Sequence, residues 1–293
     1  MIDDGARVRL VAGKARLLPA TQTPDGLIPA KFSVLSPGTE QRRLAATVSG
    51  PAKTSGYMTI GGEQARGWLV APVPHGAPID PQLKGTVVAP PGTSVHVAAL
   101  ARFQLMAALG LTRLSPDRDL MSDAVVVGSG PVALGCVLEL RRRGALRVRV
   151  LTSRRDAAIG RVPGVQCVNE VEIFAARLVI DAVGAPESTS RLLAHGGVLG
   201  LLGTPDENSM LSALRTHRGG WTVIGMHELA AFDVGRYQAG YAEVAAWLNV
   251  KVDPALVTSW CRTVPADLVP QVFESLGQRG KADEPITLFS WEA

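Results

Sequence analysis

The chain has 293 residues, enough for one large domain or two modest ones around a sizeable core. Hydrophobic residues make up 46% and charged residues 19%, which excludes a disordered chain, and no run of 18 apolar residues predicts a transmembrane helix. The net charge of +4 includes an arginine-rich stretch (Arg141–Arg143, Arg147, Arg149, Arg154, Arg155, Arg161), but aromatics are only 5% and do not interleave with it, which argues against a nucleic-acid partner.

In chain order, the opening MIDDGARVRL carries acids where a signal peptide carries bases, so a cytoplasmic protein is expected. Residues 1 to about 100 are rich in Pro, Gly and Thr. They hold short alternating runs, ARVRLVAG, AKFSVLS and GWLVAPV, that predict small irregular β-structure. ALARFQLMAALGLTR, at 99–113, is apolar around much of its circumference and predicts a buried connecting helix. From 123 strands and helices alternate: AVVVG, the helix PVALGCVLELRRRG, LRVRVLTS, a weak strand VQCVN, and RLVIDAVG. A helix over roughly 186–195, GVLGLLG, WTVIGM and the helix GYAEVAAWLNV follow. This alternation predicts an α/β fold, a doubly wound parallel sheet beside the irregular β-lobe. The last forty residues add the helix ADLVPQVFESLGQ and the strand PITLFSW. The three cysteines, Cys136, Cys167 and Cys261, show no CxxC spacing and are expected to be small core residues. Arg141–Arg143 are expected to face water at a helix C-terminus, where cations suit the dipole.

The most informative stretch is VVVGSGPVALG. Gly128, Ser129, Gly130, Pro131, Val132 and Ala133 fit GxGxxG/A between a strand and a helix. Gly128 would permit the tight turn, Gly130 the close approach of a pyrophosphate, and Ala133 close helix–strand packing, with free amides at the helix start holding phosphate. An acidic residue would be expected at the end of the next strand, about 20 residues on, for a ribose 2′-hydroxyl. The chain instead has Thr152, Ser153, Arg154 and Arg155, with no acid before Asp156. Hydroxyls and guanidiniums suit a 2′-phosphate, so NADP(H) is the expected cofactor.

The whole layout resembles the medium-chain dehydrogenase/reductase superfamily. GSGPVALG resembles its cofactor loop, IDAVGAPES its fourth-strand turn, GGVLGLLGTP its fifth strand and HRGGWTVIGM its sixth. Pro37-Gly-Thr39-Glu40 resembles the CGTD/E turn, and Gly61-Gly62-Glu63-Gln-Ala-Arg-Gly67 resembles GHExxG. The resemblance implies a dinucleotide-binding domain over 106–253 and a shortened GroES-like domain over 1–105 and 254–293. It adds Val183, Gly184, Gly203 and Thr204 as cofactor contacts, and a homodimer paired through the sixth strand. The family's zinc ligands would fall at Pro37 and Gly62, neither of which has a donor atom, and the four-cysteine loop is absent, so no metal is expected.

The chemistry expected is therefore zinc-independent hydride transfer to a small organic substrate: a ketone, a conjugated C=C or an imine. Thr39 occupies the family's hydroxyl-relay position. Glu40 and Glu63 match retained acids that are structural in many relatives, and Tyr57 has two open roles, proton donor or packing. Thr39, Tyr57 and Glu63 are the catalytic candidates. His75 and His96 are expected on solvated loops, and His195 at a helix end; His217 and His227 flank the sixth strand. A second reading is a non-catalytic relic of the same fold that binds a cofactor or a partner.

Overall fold

The computed structural model describes residues 5–114, 118–154, 156–230, 232–276 and 284–292. The chain divides into two compact units, Met1–Ala101 with Asp233–Ala293, and Arg102–Phe232.

The first unit opens with β1 (Val8–Val11), β2 (Lys14–Leu17) and β3 (Ala30–Leu35), followed by α1 (Pro37–Ala46). The stretch expected to be a turn is therefore a helix. Pro37 stands at its first position, where a missing N–H costs nothing, Glu40 suits the positive end and Arg43 the last turn. Next come β4 (Lys53–Thr54), β5 (Thr59–Glu63), β6 (Gly67–Ala71), β7 (Val87–Val88) and α2 (Val95–Leu111). α2 continues into the second unit, and His96 lies in its first turn rather than on a loop.

The second unit holds α3 (Arg118–Met121), β8 (Asp123–Val127), α4 (Pro131–Arg142), β9 (Arg147–Leu151), β10 (Val165–Val168) and β11 (Ala176–Asp181). It continues with α5 (Pro186–Thr189), β12 (Leu193–Leu201), α6 (Ala213–Gly219) and β13 (Thr222–Gly225). All six strands are parallel, in the order β10-β9-β8-β11-β12-β13. This is the doubly wound order whose direction reverses between β8 and β11, where ligands bind at the carboxyl ends of the strands. After the exposed Asp123, β8 is apolar from Ala124 to Val127, and Ala124, Val125 and Val126 are fully buried, as expected of a strand covered on both faces. Val125, Val179, Leu193, Leu199 and Trp221 form one buried cluster. The helix expected over 186–195 is shorter: α5 tightens into a 3-10 turn over Ser190–Leu192, Leu192 and Leu193 are drawn into that cluster, and His195 is an exposed strand residue.

α4 packs closely on α2. A Cβ at Gly135 would lie 2.5 Å from the backbone carbonyl carbon of Phe103, so glycine is needed there. The arginines at the end of α4 do more than face water. Arg142 and Arg143 each place Nε 2.7 Å from a carboxylate oxygen of the buried Glu139, which also accepts from Gln104 at 3.2 Å. Arg143 donates to the carbonyl of Ala108 as well, capping α2.

The chain then returns to the first unit through α7 (Val234–Lys251), α8 (Pro254–Ser259), β14 (Cys261–Pro265), α9 (Val269–Glu274) and β15 (Ile286–Ser290). The expected domain boundary at 253/254 thus differs from the observed one, which precedes α7. Side chains of α7 explain it: Gln238 bonds both backbone groups of Val88, Tyr241 Oη donates to the Ala98 carbonyl, and Asn249 to Thr93 Oγ1. This unit has a three-stranded antiparallel sheet, β2-β1-β4, and a mixed sheet, β14-β15-β3-β5-β6-β7. Its core joins Val8, Leu10 and Leu35 to Val269, Phe273 and Phe289. Among the described residues no helix is long and apolar enough to cross a membrane.

Candidate functional site

Because the six strands of the second unit run the same way, every segment leaving a carboxyl end reaches one edge. β8 leads into Gly128–Gly130, β9 into Thr152–Arg154, β11 into Val183 and Gly184, β12 into Gly203 and Thr204. The structure therefore assembles on one edge the predicted cofactor residues Gly128, Ser129, Gly130, Pro131, Val132, Thr152, Ser153, Arg154, Val183, Gly184, Gly203 and Thr204. Arg155 lies outside the described residues.

The glycines there divide into two kinds. Gly128 has φ +114, and a Cβ on it would lie 2.7 Å from Val183 Cγ1. A Cβ on Gly203 would lie 2.6 Å from the carbonyl carbon of Ala182, and one on Gly184 would strike the Thr204 carbonyl. These three are dictated by the fold. Gly130 is different: it caps α4 with extended backbone (φ −81), and a Cβ there meets no protein atom within 4 Å. Packing gives no reason for its bareness, whereas a phosphate seated on the loop does. The first-turn amides of α4 have no carbonyl four residues back within the helix and are donors for such an anion. The loop thus fits the pyrophosphate of a dinucleotide.

Two bonds tie this loop to the end of β9. Thr152 Oγ1 donates to Ser129 Oγ at 3.0 Å and accepts from the amide of Arg154 at 3.2 Å. Ser153 and Arg154 are exposed beside it. Asp181, fully buried at the end of β11, orients the next turn: its Oδ1 accepts from the amides of Val183 (3.0 Å) and Gly184 (2.9 Å). Its Oδ2 is buried without a hydrogen bond, and desolvation raises its pKa against the lowering effect of those amides.

Of the catalytic candidates, all lie in the first unit. Thr39 is on α1, with Ser36 Oγ 3.4 Å from its Oγ1. Tyr57 is half-buried, with the Arg43 guanidinium 5.9 Å from its ring centroid. Glu63 ends β5 with its side chain in solvent, which gives it no enclosed site. Glu40 is wholly buried and already engaged: its carboxylate accepts from Ser55 Oγ at 2.6 Å, the Gly56 amide at 3.1 Å and Arg43 at 3.0 Å.

His75 is no solvated loop residue. It is fully buried, packed edge-to-face against the stacked rings of Phe273 and Phe289, with Nδ1 2.8 Å from Ser33 Oγ, and desolvation lowers its pKa to about 3, helped by the charge of Arg43. Cys136 and Cys261 are buried, with burial raising both thiols, and Cys167 is partly so. Among the described residues no three His, Cys, Asp or Glu side chains gather closely enough to hold a metal ion. The two motif positions do not fit zinc either. Pro37 is built into the start of α1, and Gly62 has φ +88, a backbone that a histidine would adopt only with strain. Sequence reasoning passed over Arg102, Arg113 and Glu228, whose contacts span more than a hundred residues and leave no local signal.

No protein-family model and no curated protein matches this sequence. Solved structures do. Alcohol dehydrogenase TADH from Thermus sp. ATN1 superposes with a TM-score of 0.73 at 13% identity, covering 97% of this chain and 99% of that one. Acetophenone reductase from Geotrichum candidum NBRC 4597, in complex with NAD, gives 0.72 at 11% identity and 97% of both chains. The yhdH oxidoreductase from Salmonella enterica, in complex with NADP, gives 0.64 at 16% identity, with 98% and 99% covered. The chain shares the fold of these structures. Likeness at such low identity establishes this architecture over nearly the full length of each of these structures.

Proposed function

We propose that this protein is an NADP(H)-dependent, zinc-independent oxidoreductase acting on a small ketone, conjugated C=C or imine. The observation that carries the reading is Gly130, bare at the mouth of a helix although nothing in the protein crowds it. When bound, a reduced nicotinamide supplies hydride. The chain's own part is to hold phosphate on the amides at the start of α4, and to offer Thr152, Ser153 and Arg154 to a 2′-phosphate where a carboxylate would repel it. Without a Lewis acid, charge developing on the substrate needs a proton donor. Thr39 and Tyr57 are the groups we assign to that role, ahead of the solvated Glu63. Binding of NADPH and NADH, followed by energy transfer from tryptophan, tests the cofactor half. Tight binding of NADPH with at least about tenfold weaker NADH is expected; equal weak responses would refute it. Stereospecific deuterium transfer from labelled NADPH to one of a panel of carbonyls, enones and imines tests the catalytic half.

The engagement of Glu40 by three donors and the exposure of Glu63 favour one rival, a cofactor-binding protein without turnover. Binding with no transfer across the panel would select it. We also propose a homodimer paired through β13, a strand at the edge of its sheet whose half-buried Val223 and Ile224 invite a second copy.

A further inference from the structure

The turn that follows β13, residues 226–230, is fastened at three places by α2 and the residues just beyond its end. Arg102 on α2 forms a two-pronged ion pair with Glu228, Nη2 to Oε1 at 2.8 Å and Nη1 to Oε2, and only 4% and 12% of the two side chains reach solvent. Arg113, just past the end of the same helix, donates to the carbonyls of Gly225, His227 (3.4 Å) and Ala230 (2.6 Å). Between them Met226 fills a slot made by two glycines. A Cβ on Gly110 would lie 2.7 Å from Met226 Cβ, and one on Gly200 would lie 2.5 Å from its Sδ. Met226 is also held by its amide, which donates to the Leu201 carbonyl at 2.9 Å.

A nearly buried ion pair is a poor way to gain stability, because desolvating both charges offsets most of their attraction. It is a good way to fix geometry, since a planar guanidinium meets a carboxylate in one orientation. The turn it fixes leaves the carboxyl edge next to Gly203 and Thr204, on the side away from Thr152–Arg154. Three strand spacings separate β9 from β12, about 14 Å in all. A dinucleotide lying extended along the edge, with its adenosine at β9 and its diphosphate at Gly128–Gly130, brings its nicotinamide half to β11 and β12. There the 226–230 turn is its neighbour.

We propose that Arg102, Glu228 and Arg113 are positioning residues: they clamp the 226–230 turn as a wall for the nicotinamide half of the cofactor and do not touch its adenosine half. The proposal rests on the cofactor reading above. The test uses the full chain and two ligands, NADPH and adenosine 2′,5′-bisphosphate, which lacks the nicotinamide half. Glu228→Gln is expected to weaken NADPH about tenfold or more while leaving the bisphosphate within about twofold, because only one ligand reaches the clamp. Arg113→Lys, which keeps the charge but loses the fork that spans three carbonyls, gives the same split. Exchanging the pair, Arg102→Glu with Glu228→Arg, restores most of the NADPH affinity lost by either single change. Equal losses for both ligands, or none for either, would overturn the clamp while leaving the cofactor reading standing. Failure of the unaltered protein to bind either ligand would overturn both.

Discussion

At the scale of single residues, two glycines two positions apart answer to different demands. Gly130→Ala adds a methyl into open space at an ordinary backbone angle, so its unfolding midpoint should barely move while NADPH affinity falls at least about tenfold. Gly128→Ala forces a side chain to φ +114 and against Val183, and should cost about 1–3 kcal/mol in denaturant unfolding. If both variants lost stability equally, the distinction would fail. Arg154→Ala should weaken NADPH about tenfold and leave NADH unchanged, read by the same fluorescence titration. His75 makes a pH prediction. Its folded pKa, about 3, lies below the 6.5 of a free imidazole, so between those values the unfolded chain binds a proton that the folded chain refuses. Stability from this group is complete above pH 6.5 and is lost as pH falls toward 3, with a slope of up to about 1.4 kcal/mol per unit. His75→Leu should flatten that slope in urea melts at a series of pH values, and an unaltered slope would reject the assignment. The glycines could be read from the sequence because their spacing is local. His75 could not: its shell comes from Ser33, Phe273 and Phe289, brought together only by the folded sheet.

At the scale of elements, the alternation of apolar strands and helices from 123 onward carried the parallel sheet, because a strand buried on both faces has no polar side to blur its signal. The errors fell where local and tertiary preferences compete. Ser36-Pro37 reads as a turn, yet the QRRLAA that follows is made of good helix formers and prolongs it into α1. The helix begun at Pro186 tightens to a 3-10 turn over Ser190–Leu192, and burial of Leu192 and Leu193 turns the chain into β12 from there. β14, CRTVP, was missed because its parallel partner β15 lies twenty-five residues away and no turn signal links the two. The turn after β11 shows how an element end is held by one side chain. Asp181→Ala would leave the amides of Val183 and Gly184 without their shared acceptor, and should cost about 1–3 kcal/mol together with measurable loss of NADPH affinity. Thermal unfolding and titration check both; a stable variant with unchanged affinity would show that the turn holds itself.

At the scale of the whole molecule, the architecture followed from sequence pattern and from motif likeness, whereas the placement of α7 did not. An amphipathic helix after the sixth strand is expected on the parallel sheet, and Gln238, Tyr241 and Asn249 reveal its other attachment. The proposed homodimer is testable here. Sedimentation should show a dimer for the natural chain and a monomer for Ile224→Lys, which sets a charge on the β13 edge; identical sedimentation of the two would remove β13 from the interface. One feature of the topology also governs how the protein comes into being. The Arg102–Phe232 unit is a single uninterrupted stretch, whereas in the other unit β15 sits between β14 and β3. During synthesis the uninterrupted unit can complete itself on the ribosome, while its companion must wait with a gap in its sheet until residues 286–290 emerge. A nascent chain stalled just short of them should resist protease across 102–232 and be cut within the flanking segments.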